Sequence, residues 1–396
     1  MNIIPQDLKE KWMQPYIWDK ALAEESLQYC ARKIKEDMAV LAYACPSETA
    51  PDGHYQVIDN VAWTTGFWPG MIWSAYGATK DSIFLYGGKL QTALFQKRLE
   101  DDYVLQHHDI GFLYSLSAVA DYTLTGSEEA RQIGIRAAYR LMKLYREVPG
   151  IIQRGGNMED LTDKFTGVFI VDCMLNVPLL FWAAEQTGDK KLYDAAYNHM
   201  KNSVNTIIQP NGAIIQHGIA DVLNGTIVAD SSQSQGKGGD DAAWGRGQAW
   251  AVYGLPLAYS YTKDPIFLDA AKAVNNYFLN HLPSDDVANW DLYYTEDEVQ
   301  RDTSAASIAV CGLLEIADLL PTDDEYKTVY RNAALRILDS LNKNYRTQEG
   351  QDTMGLLDAG VYQMNSGKGV DQPTIWGDYY YIEALHRIHG GFRRFW

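Results

Sequence analysis

The 396-residue chain predicts an all-α fold, an α/α toroid in which roughly six helical hairpins form one domain over residues 1–396. Three observations carry that expectation. Helical stretches that are apolar nearly all round alternate with stretches that have one wet face. A short polar turn joins each such pair, and strand-like alternation is confined to short segments.

The elements follow in order. A helix at about 20–38 opens the series and one at about 377–389 closes it. Between them the turns are Thr79-Lys80-Asp81, Thr125-Gly126-Ser127, Thr187-Gly188-Asp189, Thr262-Lys263-Asp264 and Pro321-Thr322-Asp323, each with a polar residue able to cap the helix that follows. After them come SEEARQIGIRAAYRLMKLY, DKKLYDAAYNHMKNSV, DPIFLDAAKAVNNYFLNHL and DDEYKTVYRNAALRILDSL, with apolar residues at i, i+3, i+4 and i+7. Before them stand IGFLYSLSAVADYTL, VFIVDCMLNVPLLFWAA, GQAWAVYGLPLAYSY and SAASIAVCGLLEIADLL, which must be buried on more than one side. An inner ring of the second kind wrapped by an outer ring of the first accounts for both. GIIQRGG near 150 and the segment 212–230 read as short strands, the latter as a small hairpin. Turns are about 46 to 75 residues apart, so the extra length lies in loops, and 150–165, 208–243 and 346–376 are the regions expected at a functional mouth.

Composition narrows the partners. The net charge is −17 with no basic stripe, which argues against nucleic acid or an anionic membrane surface. No apolar run reaches the roughly 20 residues of a membrane span, and the first residues lack the apolar stretch of a secretory signal. Cys30, Cys45, Cys173 and Cys311 are widely spaced and read as free thiols in a reducing compartment, so a cytoplasmic protein is expected. The 26 Tyr, 11 Trp and 11 Phe favour sugar rings as ligands without requiring them.

Two acids stand out. Asp172 lies in a run of Val, Ile, Cys, Met and Leu, with the helix expected to be under way by Phe169. It reads either as a helix-end or ion-paired carboxylate, or as a proton carrier whose pKa burial has raised. Asp109, after His107 and His108, begins another inner helix as its N-cap or as the partner of Asp172. In DDAAWGRGQAWAVYG, Arg246 stands between Trp244 and Trp250, either gripping a carboxylate or pairing with Asp240 or Asp241. Trp63, Phe67 and Trp68 begin a further inner helix, and His217 sits in a loop. Neither His107-His108-Asp109 nor His386/His389 has the spacing of a metal site. No G-x-S-x-G elbow or phosphate-binding Gly loop is present.

HDIGF at 108–112, VDCMLNVPLL at 171–180 and WGRGQAW at 244–250, in that order, resemble the unsaturated glucuronyl hydrolases, glycoside hydrolase family 88, in their bacterial glycosaminoglycan-degrading form. The resemblance runs from about Trp63 to Trp376 and implies an (α/α)6 barrel. It also implies release of a 4,5-unsaturated uronic acid from chondroitin or hyaluronan disaccharides by hydration of the C4=C5 bond. Asp172 would then be the general acid and base and Asp109 the assisting acid. Trp63, His108, His217, Gln235, Trp244, Arg246 and Trp250 would line the sugar pocket. Ser366 and Lys368 in VYQMNSGKGVDQ resemble a stretch that holds a sulfate on the second sugar, with Gln363 departing from the pattern where a hydroxyl is expected. No metal or organic cofactor is implied. The partner would be a small anionic disaccharide, and the protein a monomer or weak homodimer. The rival readings are an unsaturated rhamnogalacturonyl hydrolase, a conventional inverting glycosidase, an epimerase on the same toroid, which lacks its paired histidines here, and a silent sugar-binding protein.

Overall fold

The computed structural model describes residues 4–232 and 234–396. Four of the hairpin turns use one device. The hydroxyls of Thr79, Thr125, Thr187 and Thr262 donate to the carbonyl four residues back and accept the N–H two residues on. The residue between is left-handed, Lys80, Gly126, Gly188 or Lys263, with φ of 58°, 74°, 74° and 56°. Asp81, Ser127, Asp189 and Asp264 then accept an N–H of the next helix. One three-residue turn thus satisfies the end of one helix and the start of another. At the fifth turn the cap is Asp324, one residue beyond the expected Asp323.

Each amphipathic helix buries one face. In Lys190–Ile207 the buried set is Leu192, Ala195, Ala196, His199, Met200, Ser203 and Ile207. The apolar helices are enclosed instead: in Thr303–Leu319 every residue from Thr303 to Ala317 is buried. Gly245–Thr262 packs on Thr303–Leu319, that helix on Ile375–His389, and the last on Phe67–Thr79, which brings the two ends of the apolar series together. A continuous apolar core runs through all of them, from Ile4 to Trp396. Cys30, Cys45, Cys173 and Cys311 are buried free thiols. Among the described residues no helix is long and apolar enough to cross a membrane.

Two inner elements depart from plain helix. The one that starts with Asp109 runs through Ile110–Tyr114, widens to a π turn over Ser115–Val119 and resumes as Ala120–Thr125. The helix expected to be under way by Phe169 is not. Val168–Ile170 is a strand, and Val171–Leu175 a 3-10 turn, ahead of the helix Pro178–Thr187. The β-branched residues here pair antiparallel with His217–Ala220, Ile170 opposite His217, and that strand forms the expected hairpin with Ile227–Asp230. Ile151–Ile152 pairs with Tyr145–Arg146, and a further hairpin joins Gly360–Gln363 to Lys368–Gln372.

Candidate active site

The 3-10 turn points Asp172 out of a wholly buried neighbourhood, since Val171, Cys173, Met174 and Leu175 are all 0% exposed. Asp172 itself is 7% exposed, and its Oδ2 has no hydrogen-bond partner. Burial, seconded by the charge of Asp109, pushes its pKa up to about 6, with Arg246 and Arg154 opposing. Close packing holds the turn in place. A Cβ on Gly254 would come within 2.7 Å of Met174, and one on Gly111 within 2.2 Å of the Asn176 Cα, so both helices approach it through glycine.

Asp109 stands at the start of its helix yet makes no cap; its carboxylate turns sideways. Oδ2 lies 3.1 Å from His107 Nδ1, and Oδ1 lies 3.4 Å from His108 Nε2 and 3.5 Å from Asn176 Nδ2. Burial acts to raise its pKa, but the two imidazoles, with Arg154, outweigh that and hold it below the usual carboxylate value. Burial keeps His108 neutral above about pH 4, so near neutrality the durable support is hydrogen bonding. Asn176 ties the acids together. Its Nδ2 also donates to the Asp172 carbonyl (3.1 Å), and its Oδ1 accepts from Phe112 N (2.7 Å). Two carboxyls on neighbouring elements are therefore held with their pKa values pushed apart, one acid and one base.

Arg246 does not pair with Asp240 or Asp241, whose side chains meet Ser231 and Lys237 respectively. Its guanidinium donates to the carbonyls of Val361 and Tyr362 and to Gln235 Oε1. It lies 4.5 Å from the Trp244 ring and 4.8 Å from that of Trp376. Gln216 accepts from the Gln235 N–H (2.6 Å) while its own backbone carbonyl takes Val171 N–H (3.0 Å), which links this corner to the Asp172 turn. Asp302 caps Thr303–Leu319 and accepts Val361 N–H, fixing the strand that holds Arg246.

These groups line one cleft of about 270 Å³. Of the residues expected from the sequence, Asp109, Asp172, Trp63, His108, Gln235 and Arg246 are on its wall. Trp250 is not: it is 0% exposed, packed on Phe112 at 5.1 Å and Tyr380 at 5.8 Å behind the wall. Trp244 lies behind Arg246, and His217 is a buried strand residue off the wall. Ser366 and Lys368 belong to the outer hairpin. Ser366 donates to Gln363, and Lys368 Nζ sits 4.5 Å over the Tyr362 ring and 3.5 Å from Glu48. Tyr362, whose hydroxyl accepts from Trp63 Nε1 at 3.3 Å, is on the wall, with Gln106, His107, Arg154 and Phe165. Nothing in the sequence singles out those five as ligand groups, although Arg154, Phe165 and Tyr362 fall within the loop regions expected at the mouth. Among the described residues no group of three or more His, Cys, Asp or Glu could hold a metal ion.

An unsaturated chondroitin disaccharide hydrolase of Streptococcus pneumoniae is 37% identical over 98% of this chain and 97% of its own. An unsaturated glucuronyl hydrolase of a Bacillus species is 35% identical over 96% of this chain and 99% of its own. The crystal structure of an unsaturated glucuronyl hydrolase from Streptococcus agalactiae superposes with a TM-score of 0.95 at 36% identity, over 100% of this chain and 98% of that one. An aspartate-to-asparagine mutant of the Streptococcus agalactiae enzyme, solved in complex with dGlcA-GalNAc6S, gives a TM-score of 0.87 at 34% identity, over 100% of this chain and 99% of that one. Residues 38–346 match Glycosyl Hydrolase Family 88, and both acids and Arg246 fall inside that span: the chain belongs to this family.

Proposed function

We propose that the protein releases the 4,5-unsaturated uronic acid from the non-reducing end of glycosaminoglycan disaccharides, chondroitin or hyaluronan in type, by hydrating the C4=C5 bond. The observation that carries this is the Asp172 carboxyl, buried, half-protonated near pH 6 and with one oxygen unpartnered, beside an ionised Asp109. Protonating carbon requires a neutral acid in working concentration, and burial supplies one. Asp172 gives its proton to C4 and, as carboxylate, takes one from the water that adds at C5. The C5 hemiketal opens to a ketone, leaving a hemiacetal at C1 that expels the second sugar; one water is consumed. Asp109, ionised, orients the ring hydroxyls and the water. Trp63 and Tyr362 offer aromatic faces to the sugar, with Gln235 and His108 as hydrogen-bonding groups.

The same reading takes the scaffold as a single-domain (α/α)6 barrel. Support comes from the alternation of buried and amphipathic helices and the contact of the last apolar helix with the first. It takes the protein as cytoplasmic, a monomer or weak homodimer. The test is a proton NMR time course in heavy water with unsaturated chondroitin disaccharide. Loss of the vinyl H4 signal with deuterium entering C4 is the expected result. Cleavage that leaves the vinyl proton in place would indicate conventional glycoside hydrolysis. Reaction only with an unsaturated rhamnogalacturonan disaccharide would shift the substrate class.

A further inference from the structure

The cleft wall holds two guanidinium groups of opposite status. Arg246 has its Nη donors committed to Val361, Tyr362 and Gln235. Arg154 has no hydrogen-bond or ion-pair partner for its side chain among the described residues; it rests over the Phe165 ring at 4.7 Å. Its backbone, by contrast, is tightly fixed. Arg154 N–H donates to Val168 O at 2.7 Å, its carbonyl accepts His108 N–H at 3.0 Å, and Gly156 N–H donates to Gln106 O at 3.2 Å. Gly156 adopts φ of 86°, and a Cβ there would meet the Asp163 carboxylate at 2.5 Å, so the loop is built to this shape. A fixed backbone, an aromatic rest and a free planar fork in a cleft make a preorganised oxyanion receptor.

We infer that Arg154 is the receptor for the anionic group of the terminal uronyl ring, a point that rests on reading this cleft as an unsaturated-uronyl site. In a plain disaccharide that group is the C5 carboxylate; a sulfated ring keeps that carboxylate and adds a sulfate ester as a second anion the fork could take. Either way the fork fixes the ring against the Asp109 side of the cleft, while Arg246 stays a wall element held by the Val361–Tyr362 strand. The alternative role for Arg154 is purely electrostatic, since its charge reaches Asp172, Asp109 and His108.

The experiment compares the parent with Arg154→Gln and Arg154→Lys on three substrates: unsaturated chondroitin disaccharide, its uronyl methyl ester, and a disaccharide with a sulfate on the uronyl ring. The parent is expected to prefer the free acid to the ester by about 10- to 100-fold in kcat/KM, mainly through KM. Arg154→Gln should abolish that preference, and Arg154→Lys, which keeps the charge without the fork, should retain part of it. A loss confined to the ring-sulfated substrate would assign the receptor to sulfate rather than carboxylate. If the acid-to-ester preference survives Arg154→Gln while only the pH profile moves, Arg154 acts through charge alone and the inference is overturned. KM values within about twofold of the parent on all three substrates overturn it as well. Calorimetric binding of acid and ester to the same proteins, each carrying Asp172→Asn as well, reads Arg154 without turnover. If the parent turns over none of the three, the proposed function fails instead.

Discussion

Replacing Asp172 by Asn should trade turnover for stability in a pH-dependent way. The parent carboxyl titrates at about 6 in the fold against the ordinary 3.8, so the folded state holds this proton more tightly than the unfolded one. For a raised carboxyl, that extra stability is complete below about pH 4 and is lost as pH rises through 6. Asparagine has nearly the same shape and no such dependence. With those two values, the linkage relation gives the parent about 1.4 kcal/mol of relative gain between pH 8 and pH 5, out of a full span of about 3 kcal/mol. Urea unfolding of both proteins at pH 5, 6.5 and 8 measures it, because every other titrating group largely cancels in the difference. Turnover of unsaturated chondroitin disaccharide should fall by about 10²- to 10⁴-fold in the variant. In the parent, kcat/KM should drop about tenfold per pH unit above 6 as the acid form disappears. A stability difference flat within about 0.5 kcal/mol across that range would mean the carboxyl is not held protonated by the fold. Retention of most activity would remove Asp172 from the chemistry altogether.

Asp109→Asn takes away the neighbouring charge that helps raise Asp172; the alkaline limb of any residual pH–rate profile should move to lower pH, and a limb that stays put would uncouple the two acids. Gly111→Ala drives a methyl against the Asn176 backbone at 2.2 Å, so a cost above about 2 kcal/mol in thermal or urea unfolding is expected, with activity falling too. Lys263 is left-handed at φ 56° in a turn where two of its equivalents are glycine. Lys263→Gly should therefore stabilise by about 1 kcal/mol, measured by urea unfolding, with no change in kcat.

Local chemistry makes much of the scaffold legible. The turns from Thr to the capping Asp or Ser carry both helix ends within three residues, and the inner helices show their burial in composition. The segment 168–175 reads wrongly as helix because a short apolar run has no period of its own. Its strand partner, His217–Ala220, lies about 50 residues away in sequence. Both acids can be found, since an Asp among Val, Ile and Met is visible as a conflict. The resemblance puts Trp250 in the pocket although its helix is apolar all round, and that same pattern buries it behind Phe112. Arg154 and Tyr362 escape notice because nothing local distinguishes a loop residue that faces the cleft from one that faces water. The double glycine after Arg154, with Gly156 at φ 86°, is the available sign of a built loop.

The meeting of Ile375–His389 with Phe67–Thr79 has a consequence for how the protein reaches activity. Trp63, just before the first of these helices in the chain, touches Trp376 on the second at 5.4 Å and Tyr362 at 6.5 Å. One wall of the cleft is thus stitched across a seam between residues roughly 300 apart in sequence, whose pairing is among the most entropically demanding in the chain. Hairpins between the ends can form from local contacts earlier. Refolding followed by circular dichroism should therefore recover helix ahead of turnover, with activity reporting the moment these two helices meet.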